Sequence, residues 1–216
     1  NKVPEAKRLD KVSYEEMLEM ASLGAKVLQT RSVETAMTNN VALRVLSSFE
    51  NLNESKGTIV TDEDSINDQR IVTGVTSSVN DCKITLIGVR DKPGIAAKIF
   101  SSLSENNINV DMIVQNISES DKTTDITFTI PKADIKNAEK IMKQLRTDVT
   151  YESILIDSNI AKISIVGVGM RSNAGVAAKM FNVLSENDIN IDVISTSEIK
   201  ISILINNDQA EKAVRM

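Results

Sequence analysis

The sequence has no histidine and no tryptophan, and only one cysteine and three prolines among 216 residues. Without histidine the chain lacks the commonest general base and the commonest metal ligand, which sets aside hydrolytic triads and zinc chemistry. Cys82 alone cannot close an internal disulfide and makes a poor metal site, so it reads as a small buried hydrophobe in a reducing compartment. Four Phe and two Tyr offer few faces on which a base could stack. The formal charge is −5 and no cluster of Lys or Arg interrupts it, so no nucleic-acid partner is expected. No apolar run approaches the roughly 20 residues that cross a bilayer, and the first residues do not form a basic and then apolar leader. No membrane partner is expected, and the expected location is cytoplasmic. The chain opens on Asn1 and stops at Met216 inside a helical pattern, and therefore reads as a piece of something longer.

What is present is apolar material at 41% of the residues, enough for two modest domains, and an internal repeat. KITLIGVRDKPGIAAKIFSSLSENNINVDMIVQN (83–116) is echoed by KISIVGVGMRSNAGVAAKMFNVLSENDINIDVISTS (162–197). Lys83 aligns with Lys162 at an offset of 79 and Gly94 with Gly175 at an offset of 81, so the second copy carries two extra residues in its first loop.

Each copy reads the same way. KITLIGV and KISIVGV are strands by residue type and length. Ala96, Ile99, Phe100 and Leu103 fall at i, i+3, i+4 and i+7, as do Ala177, Met180, Phe181 and Leu184, which predicts two amphipathic helices stopped by ENN and END. NVDMIVQNI and NIDVISTSE are second strands, and TDITFTI and IKISILI are third strands. In the first copy a helix with Ile135, Ala138, Met142 and Leu145 on one side leads to a fourth strand, TYESILID. The order βαββαβ predicts tandem ferredoxin-like α+β domains with antiparallel sheets. The second copy has no fourth strand of its own, and the strand-like QRIVTGVTSS (69–78) is available for its edge.

The first 65 residues differ. Ser13 and Glu16 predict a capping box ahead of a helix carrying Met17, Leu18, Ala21, Ala25 and Leu28. VALRVLSSF is a predicted strand, and NESKGTIVTDEDSINDQ (53–69) has the composition of an exposed loop or linker. This part has too little apolar material to stand as a domain by itself.

The loop RDKPGIAAKIF (90–100) feeds a helix N-terminus, where unpaired N–H groups and the helix dipole favour an anion. It is not a phosphate-binding P-loop, because Gly88 and Gly94 enclose five residues and Ile95 follows in place of Lys. GVGMRSNAG in the second copy places its last glycine too late for a dinucleotide fingerprint. The first loop offers backbone N–H groups near Gly94, Ile95 and Ala96 and a carboxylate at Asp91. If the first two strands share a sheet, Asn109, Val110, Asp111, Gln115 and Asn116 stand opposite. That set suits a zwitterion, with amides taking a carboxylate and Asp or Asn oxygens taking an ammonium group. The plainer readings stay open: Asp91 as a helix cap, Asp111 and Asp192 as solvated residues of a strand face, and Gln115 as a cross-strand hydrogen bonder.

These segments resemble aspartate kinases. SYEEMLEMASLGAKVLQTRSVE (13–34) is similar to the end of their catalytic domain, and DKPGIAAKIF, MIVQNIS, TTDITFTIP and ISTSEIKISILI are similar to their two regulatory ACT domains, in the same order. The resemblance implies an intact protein that phosphorylates the side-chain carboxylate of aspartate with ATP and Mg, on the way to lysine, threonine and methionine. It implies feedback inhibition by lysine, threonine or both. It divides the chain into a kinase-domain remnant and linker (1–65), a first ACT domain (82–157), and a second built from 69–79 plus 160–216. The family's KxGGTS-type segment and other catalytic residues are missing, so no catalytic residue, cofactor or metal site is expected in this chain. The implied partners are a second copy pairing through ACT domains and the kinase domain of the same enzyme. The implied effector contacts are Asp91, Gly94, Ile95 and Ala96 in the loop, Asn109, Val110, Asp111, Gln115 and Asn116 on the strand, and Asn190 and Ile191 from the second copy. Arg171, Ser172 and Asn173 replace Asp91, Lys92 and Pro93 in the second loop, which makes the two copies unequal as sites. Two rival expectations are a dimerisation module that ignores amino acids and a subunit of an active kinase completed by another chain.

Overall fold

The computed structural model describes residues 3–51, 55–66, 70–117 and 122–216. Two compact units result, Asn1–Ser78 with Lys162–Met216, and Val79–Ala161. The first begins with β1 (Lys11–Ser13) and α1 (Tyr14–Met20). The Ser13 hydroxyl accepts the Glu16 N–H at 3.2 Å while the Glu16 carboxyl accepts the Ser13 N–H at 3.2 Å, the reciprocal cap that the sequence predicts. The helix does not continue to Leu28. It widens into a π-helical turn (Ala21–Ala25) and ends where Gly24 takes φ 109° and Lys26 φ 43°. A side chain at Gly24 would crowd the Ser77 carbonyl at 3.3 Å, so the glycine both permits the left-handed turn and lets the chain pass close to its neighbour. A further helix, α2 (Thr30–Thr38), buries Val33 and Ala36.

Of VALRVLSSF only β2 (Leu43–Val45) is strand. The expected linker at 53–69 is corrected: β3 (Thr58–Thr61) lies inside it, between β1, with which it runs parallel, and β2, with which it runs antiparallel. Averaged composition hides this strand, but the four residues TIVT suffice for one, and Val60 is fully buried among Val12, Tyr14, Met17 and Val33. Residues 52–54 and 67–69 of this region lie outside the described residues. The segment closes with β4 (Gly74–Ser78).

The other unit runs β5 (Asp81–Arg90), α3 (Ile95–Glu105), β6 (Asp111–Ile117), β7 (Thr123–Pro131), α4 (Ile135–Leu145) and β8 (Ser153–Asp157). Its sheet order is β6-β7-β5-β8, antiparallel throughout. The central pair alternates as strands must: Cys82, Ile84 and Leu86 of β5 and Ile126, Phe128 and Ile130 of β7 point to one buried face. Onto that face α3 lays Ile99 and Leu103 and α4 lays Ala138 and Met142, while the Phe100 ring meets Phe128 edge-on with centroids 5.5 Å apart.

The chain then returns to the first unit with β9 (Ile160–Val166), α5 (Val176–Glu186), β10 (Val193–Thr196), β11 (Lys200–Asn206) and α6 (Ala210–Arg215). The sheet order is β10-β11-β9-β4. β4 pairs antiparallel with β9 from Gly74 opposite Val166 to Ser78 opposite Lys162, the edge place that β8 holds beside β5. The tandem ferredoxin-like α+β arrangement with antiparallel sheets thus stands as the repeat predicts.

Phe128→Ala should lower stability by about 3–5 kcal/mol, read as a fall in the urea midpoint. Cys82 is fully buried, and burial, followed by the Asp157 carboxylate, pushes its thiol above the ordinary value of 9.0. The folded chain then holds that proton more tightly than the unfolded chain, so stability falls as pH rises past that value. Between about pH 8 and about pH 10 the wild-type chain should lose more stability than Cys82→Ala, and equal losses would contradict the assignment.

Candidate functional site

The first loop begins at a bulge. The pairing of β5 with β7 shifts between Leu86 and Val89, and Gly88 sits there with φ 65°. Its N–H donates to Asp125 Oδ1 at 2.9 Å, and a side chain at this position would be strained by the left-handed φ and would have to displace Glu152, whose Cγ lies 2.5 Å away. The Arg90 N–H then donates to the Thr150 carbonyl at 3.1 Å and the Asp91 N–H to the Lys122 carbonyl at 2.9 Å. Three backbone ties therefore fix the loop before it turns. The turn closes with the Ile95 N–H on the Lys92 carbonyl at 3.3 Å, and Gly94, at φ 91°, caps α3.

Asp91 is not the helix cap. The helix begins later than the capping reading requires, and the cap position falls to Gly94, which has no side chain. Asp91 is exposed, and among the described residues its carboxylate has no partner. Nothing lies within 4 Å of where a side chain on Gly94 would be, so the front of α3 is open, with Ile95 and Ala96 half-buried behind it.

Gln115 and Asn116 stand exposed at the same end of the sheet. Asn116 pairs with Asp125, the residue that holds Gly88, and its carbonyl accepts the Thr124 hydroxyl. The start of the strand does not. Asp111 faces Thr129, and Thr129 faces Lys83, so the beginning of β6 is level with the beginning of β5. From Lys83 to Arg90 is seven residues, roughly 23 Å at about 3.3 Å each. Asn109, Val110 and Asp111 are therefore not brought to Asp91 within this chain. The expectation of facing strands fails because β7 inserts between β5 and β6, which makes those two parallel and puts their equivalent ends together. Asn109 and Val110 precede the strand. Asp111 accepts the Met112 N–H at 2.8 Å through Oδ1 and the Thr129 hydroxyl at 3.0 Å through its carbonyl. Asn190 and Ile191 hold the corresponding place ahead of β10, exposed and half-buried respectively.

The second loop is built differently. β9 ends at Val166, residues Val168–Ser172 form a 3₁₀ turn, and Gly175 at φ 92° caps α5 as Gly94 caps α3. The Arg171 guanidinium reaches Glu63 at 3.1 Å and Glu198 at 3.4 Å. The Asp125 tie to Gly88 leaves a single signal in the sequence, a glycine inside a strand-like run.

Known proteins carry this arrangement. The ACT domain family profile matches residues 84–144 and 163–216, more than half of the chain. The regulatory subunit of aspartate kinase from Thermus thermophilus, solved ligand-free, is 39% identical with a TM-score of 0.63, covering 67% of this chain and 95% of that one. A structure of aspartokinase alpha and beta subunits is 45% identical with a TM-score of 0.62, covering 66% of this chain and 93% of that one. The chain belongs to the aspartate kinase family, as its ACT-domain regulatory region. The aspartokinase of Pseudomonas aeruginosa is 52% identical over 215 residues, which are 99% of this chain and 51% of that protein. The chain thus spans about half the length of the curated relatives it matches. Within this aspartate kinase region, the ACT profile begins at Ile84 and Ile163, the same position of the two copies.

Asp125→Ala should leave the Gly88 N–H without its acceptor and cost about 1–3 kcal/mol, read by urea denaturation. An unchanged midpoint would show that the tie does not hold the bulge.

Proposed function

We propose that this chain is the regulatory half of an aspartate kinase and that its first ACT loop receives lysine, threonine or both as feedback inhibitors. The observation that carries the reading is the first loop itself, rigidly tied behind, open in front of α3, and carrying at Asp91 a carboxylate with no partner among the described residues. First-turn N–H groups suit a carboxylate and Asp91 suits an ammonium group, which together match an amino acid. Gln115 and Asn116 lie at the loop's end of β6 and Asn109, Val110 and Asp111 at the far end, so in this reading the site is completed by a second copy. β6 is an edge strand, and antiparallel pairing of two such edges would set Asn109, Val110 and Asp111 of one chain toward Gln115 and Asn116 of the other. Ile113 is 53% exposed on that edge, and Ile194, its counterpart in the repeat, is 43% exposed on the edge strand β10. Apolar side chains standing on unpaired strand edges favour such a pairing.

In this reading residues 1–65 are the part of the kinase domain that receives the signal, 82–157 form the first ACT domain, and 69–79 with 160–216 form the second. Asn190 and Ile191 are the contacts proposed for the second domain itself. ATP, Mg and aspartate belong to the kinase part of the whole cytoplasmic enzyme, and a bound effector acts by its differential affinity for two arrangements of the protein.

Isothermal titration with lysine and with threonine should give heat for at least one at millimolar concentration, and silence from both would defeat the reading. Asp91→Ala should weaken a cationic effector by about tenfold, the size of a lost charged hydrogen bond. Ile113→Lys should shift the sedimenting species toward monomer, and an unchanged distribution would remove β6 from the interface. A chain that dimerises without heat is a dimerisation module. Aspartyl phosphate formed from ATP and aspartate by this chain alone would establish a catalytic subunit in its place.

A further inference from the structure

The two copies part company at one residue. Gly88 and Gly167 are equivalent, as are Val89 and Val168. In the first copy β5 continues, with Val89 paired to Thr124. In the second the Gly167 N–H donates to the Ile199 carbonyl at 2.9 Å, the strand is over, and the Val168 N–H donates to Oε1 of Glu16 at 3.0 Å. Glu16 comes from outside the repeat, on α1.

Glu16 is 3% exposed, and its carboxyl group accepts four hydrogen bonds. Oε2 takes the Ser13 N–H at 3.2 Å and the Ser13 hydroxyl at 3.1 Å, which hold the start of α1. Oε1 takes the Thr73 hydroxyl at 2.6 Å and the Val168 N–H, which hold the second loop and the strand beside it. One oxygen serves the helix and the other serves the ACT fold. Glu19, three residues on and on the same helix face, pairs with Lys200 of β11 at 3.0 Å. The loop lies flat against the chain before β4: a side chain at Gly167 would strike the Ile71 carbonyl at 2.2 Å, and one at Gly169 the Arg70 carbonyl at 2.6 Å. Beside it is a cavity of about 330 Å³ bordered by Glu16, Glu63, Arg70, Thr73, Val168 and Asn173. The loop is therefore packed closely against residues 70–72, while its link to α1 is made by directed hydrogen bonds to one carboxyl group, a link that can exist in a made and an unmade form.

We propose that Glu16 is a positioning residue that latches the second ACT loop to α1, so that the effector-dependent state of the ACT fold is passed to the N-terminal segment by way of this carboxyl group. Its two extra residues let the second loop leave the sheet early enough to present the Val168 N–H, which accounts for the inequality of the copies. The coupling part of this inference rests on the amino-acid-binding reading above.

Hydrogen exchange on the whole chain, with lysine or threonine added, whichever gives heat, tests it. In the wild-type chain the added amino acid should change exchange both in 13–20 and in 167–173. Thr73→Val removes one arm and leaves the capping box intact, so heat of binding should persist while the change at 13–20 shrinks by about tenfold. Glu16→Gln should do the same. Ser13→Ala separates the latch from a merely structural role: it should speed exchange at 13–20 with or without the amino acid, yet leave the ligand-induced change in place. A full ligand-induced change at 13–20 in both Thr73→Val and Glu16→Gln overturns the latch, as does no change in a wild-type chain that gives heat. If neither amino acid gives heat, the binding reading fails instead, and Glu16→Gln alone decides the latch. The Ser13 and Val168 amides must then gain exchange together, and a gain at only one of them overturns it.

Discussion

Everything in this chain depends on how a short antiparallel sheet buries one face under two helices. In the first ACT unit that face is made by Cys82, Ile84 and Leu86 on β5 and by Ile126, Phe128 and Ile130 on β7, six residues that are all essentially inaccessible. These strands must be neighbours for their apolar faces to form one surface, because each buried side chain gains from removing area from water on all sides. The second strand in sequence is thereby pushed to the edge. Its position there exposes Ile113, separates Asn109–Asp111 from the loop at Asp91, and makes the ligand site a shared property of two chains in the reading proposed here.

The same unit is used twice with different loop anchoring. In the first copy the loop is tied by its own domain, through Asp125, Thr150 and Lys122, and its outer side is open. In the second the equivalent segment is held by Glu16 and lies against residues 70–72, and Arg171 is engaged by Glu63 and Glu198. The exposed ion pairs are each weak, whereas the buried carboxyl group with four donors is costly to leave unpaired. The duplication thus provides one loop tied within its own domain and one tied to the N-terminal segment, with open space before Gly94 and Gly175 alike.

Much of this was legible in the residues. The repeat, the strand and helix order, and the capping box at Ser13 and Glu16 follow from local pattern, since alternation, helical spacing and a reciprocal cap involve residues only a few positions apart. The misreadings are also local in origin. β3 was concealed because Thr58–Thr61 is short and set in a polar stretch with Asp62, Glu63 and Asp64 directly after it, and its place between β1 and β2 is a long-range pairing. The helix was extended to Leu28 because apolar spacing continues past Gly24, while the break there answers to the nearby Ser77 carbonyl. On the residues alone Asp91 reads first as a helix cap, and that reading fails because Gly94 occupies the cap.

By itself the sequence determined that this is a duplicated α+β unit and which faces of its helices and strands are buried, because a period of two or of 3.6 is written in neighbouring residues. Only the tertiary structure decided which ends of the strands coincide. The insertion of β7 between β5 and β6 is a matter of long-range register, and it removes Asn109, Val110 and Asp111 from the loop they were expected to face. Nor could the sequence couple Glu16 to Val168, 152 positions away, because a hydrogen bond between distant residues leaves no mark on either one's neighbours.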